Sequence, residues 1–288
     1  MTGTPAAQKS FIAGVFDRAS GTYEQIGVAF FDVVGAALAR VADVRPGDRE
    51  LDVGCGRGSS LLPVAAVVGP AGFVTGIDLA PGMVEAARAE IARRGVANAA
   101  VQVGDAEAPS FPDGSFDALL AGLVLFFLPD AGSAVTRYAR LLRPGGRLAL
   151  STFTERSAAE RSLLERIKAA LTPFLPEPGG PPPSEPGAPP PEARLRSRES
   201  LVDVLSRGGF GQIAFTEQTV HVTLAGPEQY WDWMWSHGGR ALLEQVPHGQ
   251  TDAARAAFCA AVADRRGPDG TIRVDYGIRL TTAQAPTA

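Results

Sequence analysis

The chain has 288 residues, of which 45% are apolar, and its 27 basic and 31 acidic side chains leave a formal net charge of −4. This length and composition can build a sizeable core, and the acidic balance without a basic stripe argues against a nucleic-acid substrate. Two cysteines are too few for a disulfide framework, the N-terminus lacks a signal-peptide pattern, and no run of about eighteen apolar residues occurs. We therefore expect a cytoplasmic protein without membrane or nucleic-acid partners.

Apolar side chains recur at helical spacing through residues 8–44, as in Phe11 and Val15. We predict that residues 1–44 form an N-terminal helical cap. A different pattern begins after it, in which short apolar runs alternate with helix-length segments.

The first of these runs, Leu51–Val53, stops at a loop with glycines at positions 54, 56 and 58. A helix-compatible segment follows at once. Glycine accepts positive φ and presents no Cβ, so the loop backbone can approach a ligand closely. The unpaired amides at the start of the following helix attract an anionic group. The pattern predicts a ligand-binding turn between a strand and a helix.

Further apolar runs have the length of strands. They cover residues 73–77, 101–104, 118–125 and 147–152. The first of them ends in Asp78 and the second ends in Asp105. Strands that alternate with helices indicate an α/β fold with a parallel sheet, whose ligands bind at the carboxyl ends of the strands. The glycines and acids just named fall at those ends.

These motifs resemble those of class I S-adenosylmethionine-dependent methyltransferases over roughly residues 45–153. The stretches that carry the resemblance are Asp52–Gly58, Gly76–Leu79 with Met83, Gly104–Glu107 and Leu142–Gly146. The resemblance implies a Rossmann-like sheet of seven strands, mostly parallel with an antiparallel last strand, and helical cap insertions. It also implies S-adenosyl-L-methionine as the cofactor, with no metal.

By this resemblance the three glycines cradle the amino-acid part of the cofactor, and Asp78 binds its ribose. Asp105 and Ala106 border the adenine, and Asp52 lies near the methionine ammonium. A capping role is as well supported for Asp52. The predicted cofactor residues are Tyr23, Asp52, Gly54, Cys55, Gly56, Gly58, Asp78, Leu79, Met83, Gly104, Asp105, Ala106 and Gly122.

A nicotinamide or flavin Rossmann domain is the nearest alternative. Its fingerprint is G-x-G-x-x-G, whereas this loop is G-x-G-x-G with Ser59 next. Cys55 fits a small loop residue better than a nucleophile, because no base is evident nearby.

The core is predicted to cover residues 45–154, followed by a helix and a proline-rich surface loop in residues 155–197. The loop itself spans residues 173–191. Within residues 198–288 we expect a helix at 199–206 and the last two strands at 212–223 and 271–282. Between these strands lies an insertion at 225–268.

The insertion contains all three tryptophans of the chain, in a segment that fits a helix after Pro227 as well as a strand. We predict a substrate pocket of Phe16, Phe126, Phe127, Trp231 and Trp235, although core packing explains such rings equally well. The best candidate for a catalytic base is His237, followed by Glu228 and Tyr230.

The predicted function is methyl transfer to a small hydrophobic acceptor, terpenoid, aromatic or polyketide-like, in bacterial specialised metabolism. An aromatic cap without an evident base favours C-methylation. The alternatives are O- or N-methylation of a similar molecule, or a cofactor-binding cyclase or regulatory module that transfers no methyl group. The acceptor and any oligomeric state stay open.

Overall fold

A computed structural model describes residues 4–176 and 195–287. Its helices are α1 Pro5–Ala19, α2 Phe31–Val41, α3 Leu61–Val68, α4 Pro81–Arg93, α5 Ala131–Leu141, α6 Ala158–Leu171, α7 Arg198–Arg207, α8 Pro227–Trp235, α9 Arg240–Leu243 and α10 Thr251–Val262. Its strands are β1 Arg49–Val53, β2 Phe73–Asp78, β3 Ala99–Val103, β4 Phe116–Gly122, β5 Leu142–Phe153, β6 Gly211–Leu224 and β7 Ile272–Gln284. None of the helices in these two ranges is long and apolar enough to cross a membrane.

The seven strands form one sheet in the order β3-β2-β1-β4-β5-β7-β6. β1 pairs in parallel with β2 and β4, which places Asp52 between Gly76 and Leu120. β7 runs antiparallel to β5, with Ser151 opposite Leu280. The predicted sheet of mostly parallel strands with an antiparallel last strand is therefore confirmed.

The described chain divides into two compact units. One comprises residues 4–30, 156–176 and 219–276, and the other comprises residues 31–155, 195–218 and 277–287. The second unit contains the glycine loop and strands β1 to β5. The four-part division expected from the sequence stays a prediction.

Local sequence signals set several helix boundaries. Ser157 and Glu160 form a capping box at the start of α6, in which each side chain bonds the other residue's amide. Pro227 occupies the first turn of α8, so the tryptophan-rich segment is a helix and not a strand. The helix predicted at residues 199–206 is present as α7 and stops at Gly208.

Three predictions need correction or lie outside the structure. The helical pattern of residues 8–44 is broken between α1 and α2, where Gly27 has φ +78°. The strand predicted at 118–125 ends at Gly122, because Leu123 turns into a left-handed conformation with φ +50°. A short 3₁₀ turn, Leu125–Phe127, follows it. Of the predicted proline-rich loop, residues 177–191 lie outside the described residues.

Glu50 is an acid in the middle of the sheet. It lies in β1 with 0% exposure, and neither carboxyl oxygen has a hydrogen-bond partner within the described ranges. Burial, reinforced by the nearby charges of Asp52 and Asp48, raises the pKa of the Glu50 carboxyl well above its usual range. We infer that the folded chain keeps Glu50 as a neutral acid.

We expect Glu50→Gln to raise the melting temperature relative to the natural chain, by an increment that grows between pH 5 and pH 8. The unfolded chain loses the Glu50 proton near the ordinary glutamate pKa, while the folded chain retains it, so the natural chain loses stability as pH rises. Thermal unfolding at several pH values measures this. Glu85→Gln, at an exposed glutamate of α4, controls for the loss of one carboxylate. An increment independent of pH would contradict a neutral Glu50.

Candidate functional site

The glycine loop follows β1 in a backbone conformation that other residues rarely adopt. Gly54, Gly56 and Gly58 have φ of +66°, +53° and +95°. A Cβ on Gly54 would lie 2.5 Å from a methyl carbon of Val124, so this glycine is also required by close packing. A Cβ on Gly56 would meet nothing within 4 Å, so the loop faces open space there. The loop is therefore held on one side and open on the other.

Asp78 fixes the loop to the end of β2. One carboxylate oxygen accepts a hydrogen bond from the Gly56 amide at 2.9 Å, and the other accepts one from the Ala80 amide at 2.9 Å. Burial raises the pKa of the Asp78 carboxyl, and these amide bonds oppose that shift. The second strand and the glycine loop thus meet at one acid, the arrangement expected for a ribose site.

Asp52 lies under the loop and is fully buried. Its Oδ2 accepts a hydrogen bond from the Ser60 hydroxyl at 2.7 Å, whereas its Oδ1 is buried and has no hydrogen-bond partner in the described part of the chain. Burial, with a further contribution from the charge of Asp78, raises the pKa of Asp52 to about 7. A buried acceptor of this kind fits an ammonium group, because a cation would satisfy the oxygen and stabilise its charge.

The residues expected around the adenine lie at the ends of β2 and β3. Asp105 accepts a hydrogen bond from the Glu107 amide at 2.8 Å, which forms a tight turn. Ala106 is buried, and its carbonyl accepts a hydrogen bond from the Tyr138 hydroxyl at 2.6 Å. Met83 is 1% exposed in α4. The glycine cradle, the orphaned oxygen of Asp52 and these turns together fit S-adenosylmethionine.

Sequence reasoning missed three residues that shape this site. The Ser60 hydroxyl donates a hydrogen bond to Asp52, and the Tyr138 hydroxyl donates one to the Ala106 carbonyl. Val124 packs against Gly54. Ser60 could have been inferred, since a serine that starts the helix after a glycine loop is placed to bond a nearby acid. Tyr138 and Val124 carry no local signal, because their contacts come from distant parts of the chain.

Cys55 is buried inside the loop. Burial, reinforced by the charges of Asp78 and Asp52, raises the pKa of the Cys55 thiol well above its usual range. A thiol in this state is a poor nucleophile, which agrees with its interpretation as a small loop residue.

Phe126 and Phe127 lie in the 3₁₀ turn after β4, in the same compact unit as the glycine loop. Their ring centroids are 4.6 Å apart, and Phe126 is 5.6 Å from Phe153 at the end of β5. Gly122 pairs with Ser151 in the sheet, two residues before Phe153. The predicted pocket residues of this unit therefore lie at the carboxyl ends of adjacent strands.

The other compact unit contains the remaining predicted aromatic residues. The rings of Phe16 and Tyr23 are 6.3 Å apart, and those of Trp231 and Trp235 are 6.2 Å apart. Trp231 and Trp235 thus share one face of α8, as a helix requires. Trp231 is 3% exposed, and Trp235 is only partly buried.

The three candidate bases are each engaged by neighbours. Glu228 forms an ion pair with Arg255 at 2.6 Å. Burial raises the pKa of Tyr230 to about 12, although a hydrogen bond with Tyr276 opposes the shift. The Glu228 carboxylate is thus occupied by Arg255, and the Tyr230 phenol keeps its proton near neutral pH.

A hydrogen bond within its own turn and burial both affect the His237 ring. Its Nδ1 accepts a hydrogen bond from the Gly239 amide at 3.0 Å, and burial lowers the pKa of the ring to about 4. The neutral ring therefore carries its proton on Nε2, so that nitrogen is a donor. The basic lone pair of the ring lies on Nδ1, which already accepts the hydrogen bond from the Gly239 amide.

Known proteins resemble this chain in sequence and in fold. Residues 51–150 match the family described as methyltransferase domain. Nocamycin O-methyltransferase of Saccharothrix syringae is 34% identical over 272 residues, which cover 94% of this chain and 97% of that protein. Aklanonic acid methyltransferase of Streptomyces sp. (strain C5) is 45% identical over 147 residues, 51% of this chain and 67% of that protein. The crystal structure of the cyclase SpnF has a TM-score of 0.55 at 25% identity, over 89% of this chain and 81% of that one.

We expect the affinity for S-adenosylhomocysteine to weaken as pH falls through about 7, by up to about tenfold per pH unit. The carboxylate form of Asp52 attracts the ammonium group of this ligand, and protonation removes the attraction. Calorimetric titration between pH 6 and pH 8 measures the effect. Asp52→Asn should bind more weakly at pH 8 and show a flat profile, and the same slope in natural and variant chains would exclude Asp52.

Proposed function

This chain belongs to the class I S-adenosylmethionine-dependent methyltransferases, and we propose that it methylates an oxygen atom of a small, largely apolar natural product. S-adenosylmethionine is its cofactor. The observation that carries the proposal is the 34% identity to an O-methyltransferase of nocamycin along 94% of this chain. That similarity includes the segments outside the cofactor core, where acceptor specificity is expected.

The chemical step of methyl transfer needs few protein side chains that react directly. A bond forms between the acceptor oxygen and the methyl carbon while the carbon–sulfur bond breaks, and its electron pair stays on sulfur. Alignment of the reacting atoms and exclusion of water can supply on the order of 7–11 kcal/mol of the barrier. A base is needed only when the oxygen still carries its proton.

We infer that the acceptor oxygen is acidic enough to be ionised in solution, as in a carboxylic acid or an enol. The support is that Arg255 occupies the Glu228 carboxylate, burial raises the pKa of Tyr230, and the Gly239 amide occupies the Nδ1 lone pair of His237. The base role expected of His237 stays a prediction that the experiments below also test. The name of the second relative refers to an acid, which agrees with this class of acceptor.

The acceptor is expected to be mainly apolar. Phe126 and Phe127 place aromatic rings after the carboxyl end of β4, in the same compact unit as the glycine loop. Sites of this kind bind rings and hydrocarbon frames, with a few polar groups that set orientation.

A second candidate function is cyclisation without methyl transfer. It is favoured by the similarity to SpnF, a cyclase with which 89% of this chain aligns at 25% identity. In that case the cofactor would be retained while the acceptor rearranges.

The test is incubation with S-adenosylmethionine labelled with carbon-13 in its methyl group and a matched pair of acceptors. These are anthraquinone-2-carboxylic acid and 2-(hydroxymethyl)anthraquinone, which differ in the acidity of one oxygen. We expect a methyl ester of the acid, identified by its carbon-13 shift, and no product from the alcohol. A label bonded to a carbon atom of the acceptor would instead support C-methylation. A rearranged product without label would support cyclisation.

We expect His237→Ala to change kcat by less than about tenfold when cofactor and acid are saturating, because an ionised acceptor needs no base. Steady-state assays between pH 6 and pH 8 check this, with Glu228→Gln as the matched variant. A loss of about 10²–10⁴ in kcat for His237→Ala alone would instead identify His237 as the base.

A further inference from the structure

The turn that follows β3 is held by a tyrosine of a distant helix. Tyr138 lies in α5 with 0% exposure, and its hydroxyl donates a hydrogen bond to the Ala106 carbonyl at 2.6 Å. The two residues are 32 positions apart in the chain. A buried hydroxyl needs a partner, and here the partner is a carbonyl at the edge of the sheet where ligands bind. The contact therefore affects the shape of the turn that is expected to border the adenine.

Two consecutive peptide groups of this turn are fixed by hydrogen bonds. The first joins Asp105 to Ala106, and its carbonyl accepts a hydrogen bond from the Ala108 amide at 3.1 Å. The second joins Ala106 to Glu107. Its carbonyl accepts the bond from Tyr138, and its N–H donates to Oδ1 of Asp105 at 2.8 Å. Because a peptide group is planar, these bonds set the orientation of each group and thereby the direction of the Ala106 N–H.

The Ala106 N–H is the remaining polar group of these two peptides. It donates to no residue that the structure describes, and Ala106 is only 7% exposed. A donor in this position is satisfied when a ligand offers an acceptor. From the family resemblance, Ala106 is expected to border the adenine, whose ring nitrogen N1 is an acceptor. In hypoxanthine the same nitrogen carries a hydrogen and is a donor, so N1 is an atom at which this amide can distinguish the two bases.

The far end of the same loop is held separately. Arg137, the residue before Tyr138, donates hydrogen bonds to the carbonyls of Pro109 and Phe111 at 3.2 and 2.5 Å. It also forms an ion pair with Asp113 at 2.5 Å. Two adjacent residues of α5 thus hold opposite ends of one loop, and each can be changed without removing the contacts of the other.

We propose that Tyr138 is a positioning residue that sets the selectivity of this enzyme for a cofactor with an adenine base. It acts through Ala106. While Tyr138 holds the carbonyl, the turn keeps the Ala106 N–H directed at a base acceptor and cannot rotate to offer an acceptor of its own. A base with a hydrogen at N1 would lose a hydrogen bond and meet an opposing donor. The proposal concerns the cofactor and is independent of the acceptor and of the atom that is methylated.

The test compares S-adenosylhomocysteine with S-inosylhomocysteine, in which hypoxanthine replaces adenine. Each is titrated calorimetrically into the full chain. We expect the natural chain to bind S-adenosylhomocysteine at least about tenfold more tightly than S-inosylhomocysteine. Tyr138→Phe, which deletes only the hydroxyl, should reduce this ratio about fivefold, the size of one neutral hydrogen bond. Replacement of Tyr138 by 4-aminophenylalanine keeps a donor at the same ring position and should retain the natural ratio.

Arg137→Met is the matched control, because it releases the far end of the loop and leaves the bond from Tyr138 to Ala106 in place. It should keep the natural ratio of affinities even if it lowers the melting temperature. Binding of S-adenosylhomocysteine reports whether each variant is folded, and the 4-aminophenylalanine variant carries the test if Tyr138→Phe is not folded.

Three results would overturn the proposal. Equal weakening of both ligands by Tyr138→Phe would assign Tyr138 a purely structural role. A ratio that falls as far in Arg137→Met would attribute the selectivity to the order of the whole loop. A ratio that falls in the 4-aminophenylalanine variant would show that a donor at this position is not what sets it.

This measurement is independent of methyl transfer. A carbon-13 label on carbon would overturn O-methylation and leave the base selectivity of Tyr138 standing. An unchanged ratio in Tyr138→Phe would overturn the role of Tyr138 and leave the methylated atom undecided by that experiment.

Discussion

The candidate cofactor site depends on two acids that the fold holds close together at the carboxyl ends of β1 and β2. Asp78 accepts a hydrogen bond from the Gly56 amide and thereby fixes the loop, while Asp52 lies beneath the loop with one oxygen that has no hydrogen-bond partner among the described residues. The negative charge of each acid raises the free energy needed to ionise the other, and burial raises that free energy further. A ligand with an ammonium group would lower the free energy of ionising these acids. We therefore expect this pair of acids both to position the loop and to favour a cationic ligand.

The parts of this site that could be predicted are the parts encoded by nearby residues. Glycines at every second position and acids at the ends of apolar runs identify a ligand-binding edge, because strand, loop and helix follow one another directly. The tryptophan segment was ambiguous in sequence. Pro227 in a first helical turn fits the helix that forms, whereas alternation of large rings suggested a strand.

What could not be predicted depends on contacts between distant residues. The end of β4 is set by the left-handed turn at Leu123, whose amide bonds Ser151 on the neighbouring strand. The neutral state of Glu50 follows from its position between two other strands. The state of His237 depends instead on a local turn, because the Gly239 amide donates a hydrogen bond to its Nδ1, and the sequence does not show which conformation this turn adopts. Residue type and spacing do not contain this information.

The position of β7 has a consequence for how the chain is made. β7 lies between β5 and β6, so β6 is synthesised earlier but can join the sheet only through a strand that follows it. Until residues 272–284 leave the ribosome, the outer edge of β5 presents unpaired amides and carbonyls. The nascent chain thus passes through a stage with an unpaired strand edge, when pairing with another chain competes with completion of the sheet.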